Sequence, residues 1–368
     1  MKKKKDVINV LQIINGADLG GISTFILNYY RNMNRKRYHF DFCMYDSELG
    51  YNGRELEKLG CKFYTVPSKK KLFKYINKMN EVLRSCDYDV IHVHTNTSSY
   101  VPLWIAKRHG VGIRVAHAHS AVVEQSISYR IKAFWGKLLI PKVATRLCPC
   151  STDAGKVVFG EKSKVDIIPN AIDFEKFKYN EKIRREVRNE LGIKKEDYVV
   201  GMVGRLSDEK NTKYAVDIFT KLVDKHKNYR LLIAGDGKLR SELENQVADN
   251  NLTDNILFLG QRSDAWRLYQ SFDLFLLPSK YEGFPISAVE ALSAGLPVIL
   301  SANITKDISF GKNMKYLSID DNNISQWIEA IEHYSTNTIR TAGVEVVENG
   351  FDIKNAVHLL EAVYEGVN

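Results

Sequence analysis

The chain of 368 residues is 44% hydrophobic and 26% charged, which is the composition of a globular protein rather than of a disordered one. Its length suits two domains, each with a core of its own. There is no run of about eighteen apolar residues, so the sequence predicts no transmembrane helix and argues against an integral membrane protein. Five cysteines without framework spacing favour a reducing compartment, and we expect a cytoplasmic protein.

The net charge of +9 is unevenly distributed along the chain. Residues 1–180 hold 30 Lys and Arg against 16 Asp and Glu, a net charge of +14. The remaining residues hold 23 against 28, a net charge of −5. Such asymmetry directs the first half toward an anionic partner, whether phosphate, nucleic acid or a membrane surface. A solvated lysine-rich surface without a partner is the alternative.

Strand-like and helix-like patterns alternate through the first half. Strands are predicted at 7–14, 38–44, 62–66, 90–93, 113–116, 144–148 and 165–168. Helices are predicted at 22–33, 54–59 and 72–84. The last of these helices has an apolar face that begins at Leu72. Its other face is basic and includes Lys69, Lys70, Lys71, Lys74, Lys78 and Arg84.

The alternation resumes after a polar interruption near residue 170, where we place the domain boundary. Strands are predicted at 199–203, 230–234, 256–259, 274–277 and 298–300, and helices at 183–191, 213–226, 239–249, 264–270 and 353–367. This pattern predicts an α/β fold in which each domain is a parallel sheet covered by helices on both faces. Ligands of such sheets bind beyond the carboxyl ends of the strands, so we expect two domains that face one another across a cleft.

The stretch from Pro278 to Pro297 follows a predicted strand and reads as a loop, a helix and a turn into the next strand. Pro285 suits the first helical position, and Gly295 suits the left-handed residue that ends a helix. Glu282 precedes this helix and Glu290 lies within it, so two acids frame one helix N-terminus, which can hold an anion or a hydroxyl-rich ligand. In the alternative, structural interpretation, Glu282 is merely exposed and Glu290 pairs with a core Arg or Lys.

Four further loops fall at the predicted carboxyl ends of strands. In Gly204–Asn211, Arg205 and Lys210 could converge on a diphosphate, or else form a surface ion-pair cluster with neighbouring acids. The loop 16–23 contains Gly20 and Gly21 but lacks the G-x-G-x-x-G pattern, so a dinucleotide is not expected. Turns at 235–237 and 260–262 complete the same edge of the second sheet.

Two pairs of histidines end two predicted strands of the first half, and strand alternation puts each pair on one face. The pairs are His92 with His94 and His117 with His119. Four convergent imidazoles could bind zinc, which would suit a metallohydrolase. However, no acidic ligand has a suggestive spacing, and the other interpretation is that one histidine lines the cleft while the others are packed.

These motifs together resemble the retaining glycosyltransferases of family 4, also called group 1. The more specific matches lie in the second half, in Gly204–Asn211, Gly235–Gly237 and the Glu282-x7-Glu290 pattern. The first half contributes Gly20-Gly21-Ile22-Ser23, His92-Val93-His94 and the 168–173 segment. The variant with 114–120, Arg-Val-Ala-His-Ala-His-Ser, is similar to bacterial enzymes of exopolysaccharide and capsule assembly.

The resemblance implies a GT-B fold with two Rossmann-like domains, an acceptor-binding domain at 1–170 and a nucleotide-sugar-binding domain at 171–352. The segment 353–368 would form a helix that crosses back to the first domain. No metal or other cofactor would be required. The leaving diphosphate would take the acceptor proton, in a retaining reaction.

The resemblance also assigns roles to individual residues. Arg205 and Lys210 would bind the pyrophosphate, Glu290 the ribose hydroxyls, and Glu282 the donor sugar. His119 would lie near that sugar. The remaining donor-binding residues implied are Gly20, Gly21, Gln261, Arg262, Gly283, Phe284, Pro285 and Ile286. One departure is the segment 302–308, which lacks the Gly-Gly and Glu found in many members; Asp307 could stand in for that acid.

The main functional hypothesis is therefore a glycosyltransferase that moves a sugar from a nucleotide donor, expected to be UDP-linked, to a lipid-linked saccharide in exopolysaccharide or capsule biosynthesis. The basic first domain and its lysine-rich start predict a peripheral position at the inner face of the membrane, on an anionic surface and not on nucleic acid. One alternative is a catalytically silent nucleotide-sugar-binding subunit of a glycosyltransferase complex. The other is the histidine-based metallohydrolase.

Overall fold

The computed structural model describes residues 6–18, 20–45, 48–119, 127–337 and 340–367. The chain divides into two compact units. Unit 1 runs up to Ala171 and includes the residues from Ile353 onward, and unit 2 is Ile172–Asp352. The division falls one residue after the predicted boundary at 170. The predicted lysine-rich start, Met1–Lys5, lies outside the described residues.

Unit 1 contains a six-stranded parallel sheet with the order β3-β2-β1-β4-β5-β6. Its strands are β1 (Ile8–Ile13), β2 (Tyr38–Met44), β3 (Lys62–Thr65), β4 (Val90–Val93), β5 (Ile113–Ala118) and β6 (Arg146–Pro149). The helices between them are α1 (Gly21–Asn32), α2 (Tyr51–Lys58), α3 (Leu72–Ser85), α4 (Tyr100–Arg108), α5 (Ile127–Val143) and α6 (Thr152–Phe159).

The strand predicted at 165–168 is wrong. This segment runs beside β6, where the amide of Asp166 donates to Leu147 O and that of Ile168 to Pro149 O. The next residue, Pro169, has no amide hydrogen and cannot extend the ladder, so the segment stays irregular. A second error concerns Leu72, which is 43% exposed although it was expected on the buried face of α3.

Unit 2 repeats the same sheet topology, with the order β12-β11-β10-β7-β8-β9. Its strands are β7 (Tyr198–Val203), β8 (Tyr229–Ala234), β9 (Ile256–Gly260), β10 (Leu274–Leu277), β11 (Val298–Ser301) and β12 (Met314–Leu317). Its helices are α7 (Phe174–Phe177), α8 (Glu181–Glu190), α9 (Thr212–Lys225), α10 (Arg240–Asp249), α11 (Ala265–Ser271), α12 (Ile286–Ser293), α13 (Ile324–Asn337) and α14 (Glu345–Glu348).

The final helix, α15 (Ile353–Glu365), belongs to unit 1. Its apolar face is part of the hydrophobic core beneath β1 and β2, through Ile353, Ala356, Val357, Leu360, Val363 and Tyr364. None of the helices in the described ranges combines the length and apolar content needed to cross a bilayer.

In both sheets the chain starts at a central strand, moves to one edge, and then returns to the other side of that strand. The reversal lies between β1 and β4 in unit 1 and between β7 and β10 in unit 2. The loops that leave two such strands diverge and open a crevice at the carboxyl edge, where ligands bind in doubly wound folds. The predicted α/β class with two parallel sheets is confirmed. The carboxyl edge of each sheet, at the reversal of strand order, is the expected position of a ligand site.

Candidate functional site

The crevice of unit 2 brings together two of the predicted motifs. The loop after β7 supplies Lys210 and the loop after β10 supplies Glu282, whose ammonium and carboxylate groups are 2.6 Å apart (Nζ to Oε1). Ser279, which is fully buried, donates its hydroxyl to the same carboxylate oxygen at 2.7 Å. The Glu282 side chain is only 10% exposed, so the interpretation of Glu282 as merely an exposed residue is wrong.

Arg205 lies in the same loop as Lys210 but has a different environment. It is exposed, and its side chain makes no hydrogen bond or ion pair with the residues the structure describes. Asp208 and Glu209 do not hold it; Asp208 instead pairs with Lys238 at 2.6 Å. The crevice therefore has one cation neutralised by a carboxylate and one, Arg205, with no partner among the described residues.

Glu290 projects from α12, the helix that follows Glu282. Pro285 immediately precedes this helix, one position earlier than predicted, and Gly295 follows its end with φ +70° as expected. The Tyr269 hydroxyl donates to Glu290 Oε2 at 2.6 Å, so the partner is neither the Arg nor the Lys of the structural interpretation. Burial raises the pKa of Glu290 to about 7, although the hydrogen bond from Tyr269 acts against the rise.

The glycines of the neighbouring loops allow three chain segments to pack closely at this edge. A Cβ at Gly235, which has φ +145°, would lie 1.8 Å from Gly204 O, so no other residue fits there. The backbone of the 235–237 turn is tied to both neighbours, since Leu206 N donates to Asp236 O at 3.0 Å and Gly235 N to Gly260 O at 2.8 Å. The loops after β7, β8 and β9 thus form one continuous rim.

The other residues predicted on this side of the chain have mixed settings. Arg262 is held by Asp264 (2.7 and 2.8 Å) and Glu190 (3.2 Å), whereas Gln261 is exposed. Phe284 is buried against Phe351, with ring centroids 5.4 Å apart. Gly283 and Ile286 are partly buried around it.

The segment after β11, where the sequence departs from the family pattern, contacts the loop that holds Glu282. Asn303 Nδ2 donates to Lys280 O at 3.2 Å, and Lys280 N donates to Glu209 O at 2.8 Å. The Asp307 amide caps locally on Thr305 Oγ1 at 3.3 Å, and the residue itself is exposed. Asn303 therefore links this segment to the crevice loops.

In unit 1 the crevice begins with the loop before α1. Gly20 is the residue before that helix and Gly21 its first residue. A Cβ at either position would meet no atom within 4 Å, so open space surrounds this backbone. The loop is fixed from below, because the buried Asn52 donates to Asp18 O at 3.2 Å and to Ser23 Oγ at 3.0 Å. Leu19, in the same loop, lies outside the described residues.

The four histidines form one buried hydrogen-bonded cluster at the ends of β4 and β5. His94 Nδ1 is 2.7 Å from His119 Nε2, and His92 Nε2 is 2.9 Å from His117 Nδ1. Gln12 Oε1 bonds His94 Nε2 at 2.8 Å. The cluster continues to Tyr364 of α15, whose hydroxyl is 2.6 Å from His92 Nδ1 and accepts from Gln12 Nε2 at 3.1 Å. Ser120, part of the same sequence motif, lies outside the described residues.

Burial and mutual repulsion keep this cluster neutral. Burial lowers the pKa of His119 to about 3, and burial, followed by the neighbouring histidines, lowers the pKa of the other three well below 6.5. With the Gln12 amide oriented as above, His94 carries its hydrogen on Nε2 and accepts from His119 Nε2. His119 then presents an unprotonated Nδ1.

A metal at this cluster would have to displace existing hydrogen bonds. Ligand nitrogens of His92, His94 and His117 lie within 4.8 Å of one another, a spacing that zinc could accept. Yet His92 and His94 have both nitrogens engaged within the cluster. Within the cluster, His117 Nε2 is buried and has no hydrogen-bond partner among the described residues. The donor set fits a neutral packed network better than a metal centre, because two of the three candidate ligands would have to give up existing hydrogen bonds.

Comparison with known proteins agrees with the two-unit architecture. A solved structure of Anabaena Alr3699/HepE in complex with UDP and glucose superposes with a TM-score of 0.83 at 18% identity, over 98% of this chain and all of the other. A glycosyltransferase from Rickettsia africae gives a TM-score of 0.79 at 16% identity, over 98% of this chain and 99% of the other. The two parallel sheets and these neighbours define a GT-B α/β fold.

Family models match both units, "Glycosyltransferase Family 4" over residues 19–176 and "Glycosyl transferases group 1" over residues 183–344. The protein named "Putative glycosyltransferase EpsF" from Bacillus subtilis (strain 168) is 32% identical over 332 residues, which are 88% of this chain and 86% of the relative. An Escherichia coli UDP-Gal:alpha-D-GlcNAc-diphosphoundecaprenol alpha-1,3-galactosyltransferase is 29% identical over 79% of both chains. The chain belongs to the group 1 glycosyltransferases, and the predicted resemblance is confirmed.

Sequence reasoning missed the residues that hold the predicted ones in place. Ser279 stands between a strand and a motif and looked like an ordinary loop residue. Tyr269 lies in α11, distant in sequence from Glu290. Asn303 lies in the segment where the family pattern fails. A buried carboxylate needs a hydrogen-bond partner, so Glu282 and Glu290 themselves indicated that such partners exist. The sequence alone does not say which residues, here Ser279 and Tyr269, donate those bonds.

Proposed function

We propose that this glycosyltransferase transfers a sugar from a UDP-linked donor to a lipid-linked saccharide, with retention of configuration. The observation that carries the donor site is the unit 2 crevice, where the unpaired Arg205 guanidinium lies in the same loop as the Lys210–Glu282 ion pair. Arginine donors that are not used within the protein suit the two oxygens of a diphosphate. The UDP-bound HepE structure and the galactosyltransferase named for a diphosphoundecaprenol-linked acceptor support the two substrate classes.

In this proposal each residue binds a different part of the nucleotide-sugar donor. Arg205 and Lys210 bind the pyrophosphate, and Glu290 accepts hydrogen bonds from the ribose hydroxyls. Glu282 contacts the sugar, together with the backbone from Gly283 to Ile286. Gln261 and Arg262 lie by the base, although the guanidinium of Arg262 is already held by Asp264 and Glu190. The roles that the sequence predicts for Gly20, Gly21 and His119 of unit 1, toward the phosphates and the sugar, stay predictions.

The reaction forms one bond and breaks another at the anomeric carbon of the donor sugar. An acceptor hydroxyl oxygen bonds to this carbon while the bond to the leaving phosphate oxygen breaks, and that oxygen takes the hydroxyl proton. Arg205 and Lys210 stabilise the charge that develops on the departing diphosphate. No metal is assigned a step, so we expect transfer to survive a chelator; loss of activity in EDTA, restored by a divalent cation, would contradict this assignment.

A thermal-shift screen of UDP-, GDP- and ADP-sugars against the full chain tests the donor class, because only a bound nucleotide raises the melting temperature. We expect stabilisation by UDP-sugars. Radiolabelled transfer to a polyprenyl-diphosphate saccharide then tests the acceptor. Binding without either transfer or slow donor hydrolysis would instead indicate the silent subunit.

Arg205→Ala tests the site itself. Because the exposed side chain makes no hydrogen bond or ion pair with the described residues, we expect an unchanged melting temperature and a UDP affinity at least about tenfold weaker, the loss of one charge-assisted contact. Arg185→Ala is the matched control, since that arginine is 72% exposed on α8 with one weak ion pair. Equal UDP affinities for the Arg205→Ala variant and the wild type would refute the assignment.

The role of the product in exopolysaccharide or capsule biosynthesis rests on the similarity to EpsF and to the lipid-linked galactosyltransferase. A gene deletion that leaves surface polysaccharide unchanged in amount and composition would contradict this role. The buried histidines give no support to the metallohydrolase, since the family is that of a glycosyltransferase and the cluster is hydrogen-bonded within itself.

A further inference from the structure

Helix α5 of unit 1 exposes a row of large apolar side chains. Phe134 is 64% exposed, Ile131 54%, Trp135 51% and Leu138 45%. Their spacing of three and four residues puts them on a single helical face. A single exposed apolar residue is ordinary, but a contiguous row that contains two aromatic rings indicates a surface that binds a partner.

The other side of α5 is firmly seated, so this exposure is not a sign of a loose helix. Ile140 is fully buried and Val143 is 5% exposed. A Cβ at Gly136 would lie 3.0 Å from Thr97 O, which means that the helix backbone packs directly on the segment at the end of β4. The apolar face is therefore presented outward by a fixed helix.

Basic residues flank the apolar row on both sides. Arg130, Lys132 and Lys137 are all exposed, and the helix Ile127–Val143 contains no acidic residue. On a helical projection Lys132 falls on one side of the row and Arg130 with Lys137 on the other. We call these seven residues the α5 face: Arg130, Ile131, Lys132, Phe134, Trp135, Lys137 and Leu138.

We propose that unit 1 docks on an anionic lipid bilayer through the α5 face, with the apolar side chains entering the boundary of the acyl chains and the basic ones contacting headgroup phosphates. An apolar row edged by lysine and arginine is the arrangement that lies in a membrane interface. A second copy of the chain fits less well, because pairing two α5 faces would bring basic residues together with no acidic residue on either helix to offset them.

The start of α3 contacts the same segment at the end of β4 on which α5 packs. Lys69 Nζ donates to Ser98 O at 2.7 Å and to Thr95 Oγ1 at 3.2 Å, so it reaches the segment on which Gly136 packs. Two residues after the lysine cluster, Phe73 is 84% exposed. This revises the basic-helix hypothesis, since Lys69 is used internally and Lys78 pairs with Glu81, which leaves Lys70, Lys71 and Lys74 for headgroups.

The inference rests on the proposed function in one respect: a lipid-linked acceptor is presented at a bilayer surface. The segment at 95–98 follows β4 directly and so lies at the carboxyl edge of the unit 1 sheet. A bilayer bound to the α5 face would therefore lie beside the crevice of unit 1.

Vesicle binding by the full chain tests this proposal. We expect sedimentation with vesicles of equimolar phosphatidylglycerol and phosphatidylcholine, and little with phosphatidylcholine alone. Phe134→Ser/Trp135→Ser should weaken the partition at least about tenfold, because two exposed aromatic rings no longer leave water. Lys132→Glu/Lys137→Glu should weaken it to a similar extent at low salt and less at high salt.

The matched control is Leu359→Ser, which alters a residue of unit 1 that is 48% exposed on α15. It should bind vesicles like the wild type. All variants should keep the wild-type melting temperature and UDP affinity, so a failure of donor binding would count against the proposed function and not against the docking surface. Undiminished vesicle partition of Phe134→Ser/Trp135→Ser would overturn the proposal.

Sedimentation velocity without lipid tests whether the α5 face instead binds a second copy of the chain. We expect the wild type and Phe134→Ser/Trp135→Ser to have the same oligomeric state. Dissociation of a wild-type dimer by this double substitution would assign the α5 face to self-association and would overturn the lipid assignment.

Discussion

At the scale of single residues, the burial of Glu290 links its ionisation state to its proposed role in donor binding. Its pKa of about 7 is raised above the ordinary carboxyl value of 4.5, chiefly by burial. Because the folded state binds this proton more tightly than the unfolded one, the protonated carboxyl contributes stability that is fully present below pH 4.5 and is lost as the pH rises through about 7. A carboxylate that accepts two ribose hydroxyls must instead be ionised. Donor binding and fold stability therefore oppose each other at this residue.

Glu290→Gln separates these two effects. We expect the variant to lose the fall in unfolding free energy that Glu290 causes between pH 4.5 and 7, up to about 3 kcal/mol in total, because an amide does not titrate. We also expect weaker UDP binding that no longer tightens as the pH rises through 7. Chemical denaturation and calorimetric titration across this pH range measure both. Exposed Glu186→Gln on α8 is the matched control. Identical pH profiles for the wild type and Glu290→Gln would contradict the prediction.

The sequence indicated which residues of the crevice matter but not their partners. Glu282, Glu290, Arg205 and Lys210 were predicted because charged groups follow apolar strands. The 2.6 Å contact of Lys210 with Glu282 was not, since it joins two loops 72 residues apart. Which of two cations stays unpaired depends on loop conformation, and no local pattern encodes it. The roles given to these residues in donor binding stay predictions.

At the scale of elements, strands and helices with strong periodicity were predicted to within a few residues. The strand β2 was predicted at its observed bounds, Tyr38–Met44. Helices α4, α5, α6 and α13 were not predicted; α4 and α6 are short and give no long repeat. The 165–168 error shows the opposite limit: this apolar run lies beside β6 and donates two hydrogen bonds to it, yet it does not form a regular strand.

Gly235 provides a prediction about loop packing. We expect Gly235→Ala to destabilise unit 2 by about 2 kcal/mol or more, because its Cβ would collide with the Gly204 carbonyl and force the loops after β7 and β8 apart. Gly192→Ala is the matched control: this glycine has φ +63°, and a Cβ there meets no atom within 4 Å, so only the cost of the left-handed backbone, about 1 kcal/mol, applies. Urea denaturation compares them. Equal losses in the two variants would show that the loops can separate freely.

At the scale of the whole molecule, the two units respond to acid in different ways. The histidines of unit 1 have folded-state pKa values well below 6.5, so the unfolded chain binds protons that the folded one does not. Stability of unit 1 is therefore lost as the pH falls below about 6.5, by about 1.4 kcal/mol per pH unit for each histidine that stays neutral. In unit 2, Glu290 acts in the opposite direction over part of the same range.

We therefore expect unit 1 to unfold before unit 2 on acidification. Hydrogen exchange followed by mass spectrometry at pH 7 and pH 5 assigns the loss of protection to each unit. Exchange should rise in β4, β5 and α15, and less in β7 to β10. Tyr364→Phe should shift the unit 1 transition to higher pH, since it removes the hydroxyl that bonds His92 and Gln12. Loss of protection in unit 2 first would contradict this order.

The return of the chain to unit 1 has a consequence for biosynthesis. Unit 2 is one continuous stretch, whereas the core of unit 1 needs α15, which is synthesised after all of unit 2. On the ribosome, unit 2 can fold as soon as it emerges, while β1 to β6 wait with their histidines lacking Tyr364. The nascent first half therefore exposes an unfinished core for the time needed to translate 172–352, and during this interval it is the part of the polypeptide on which chaperones would act.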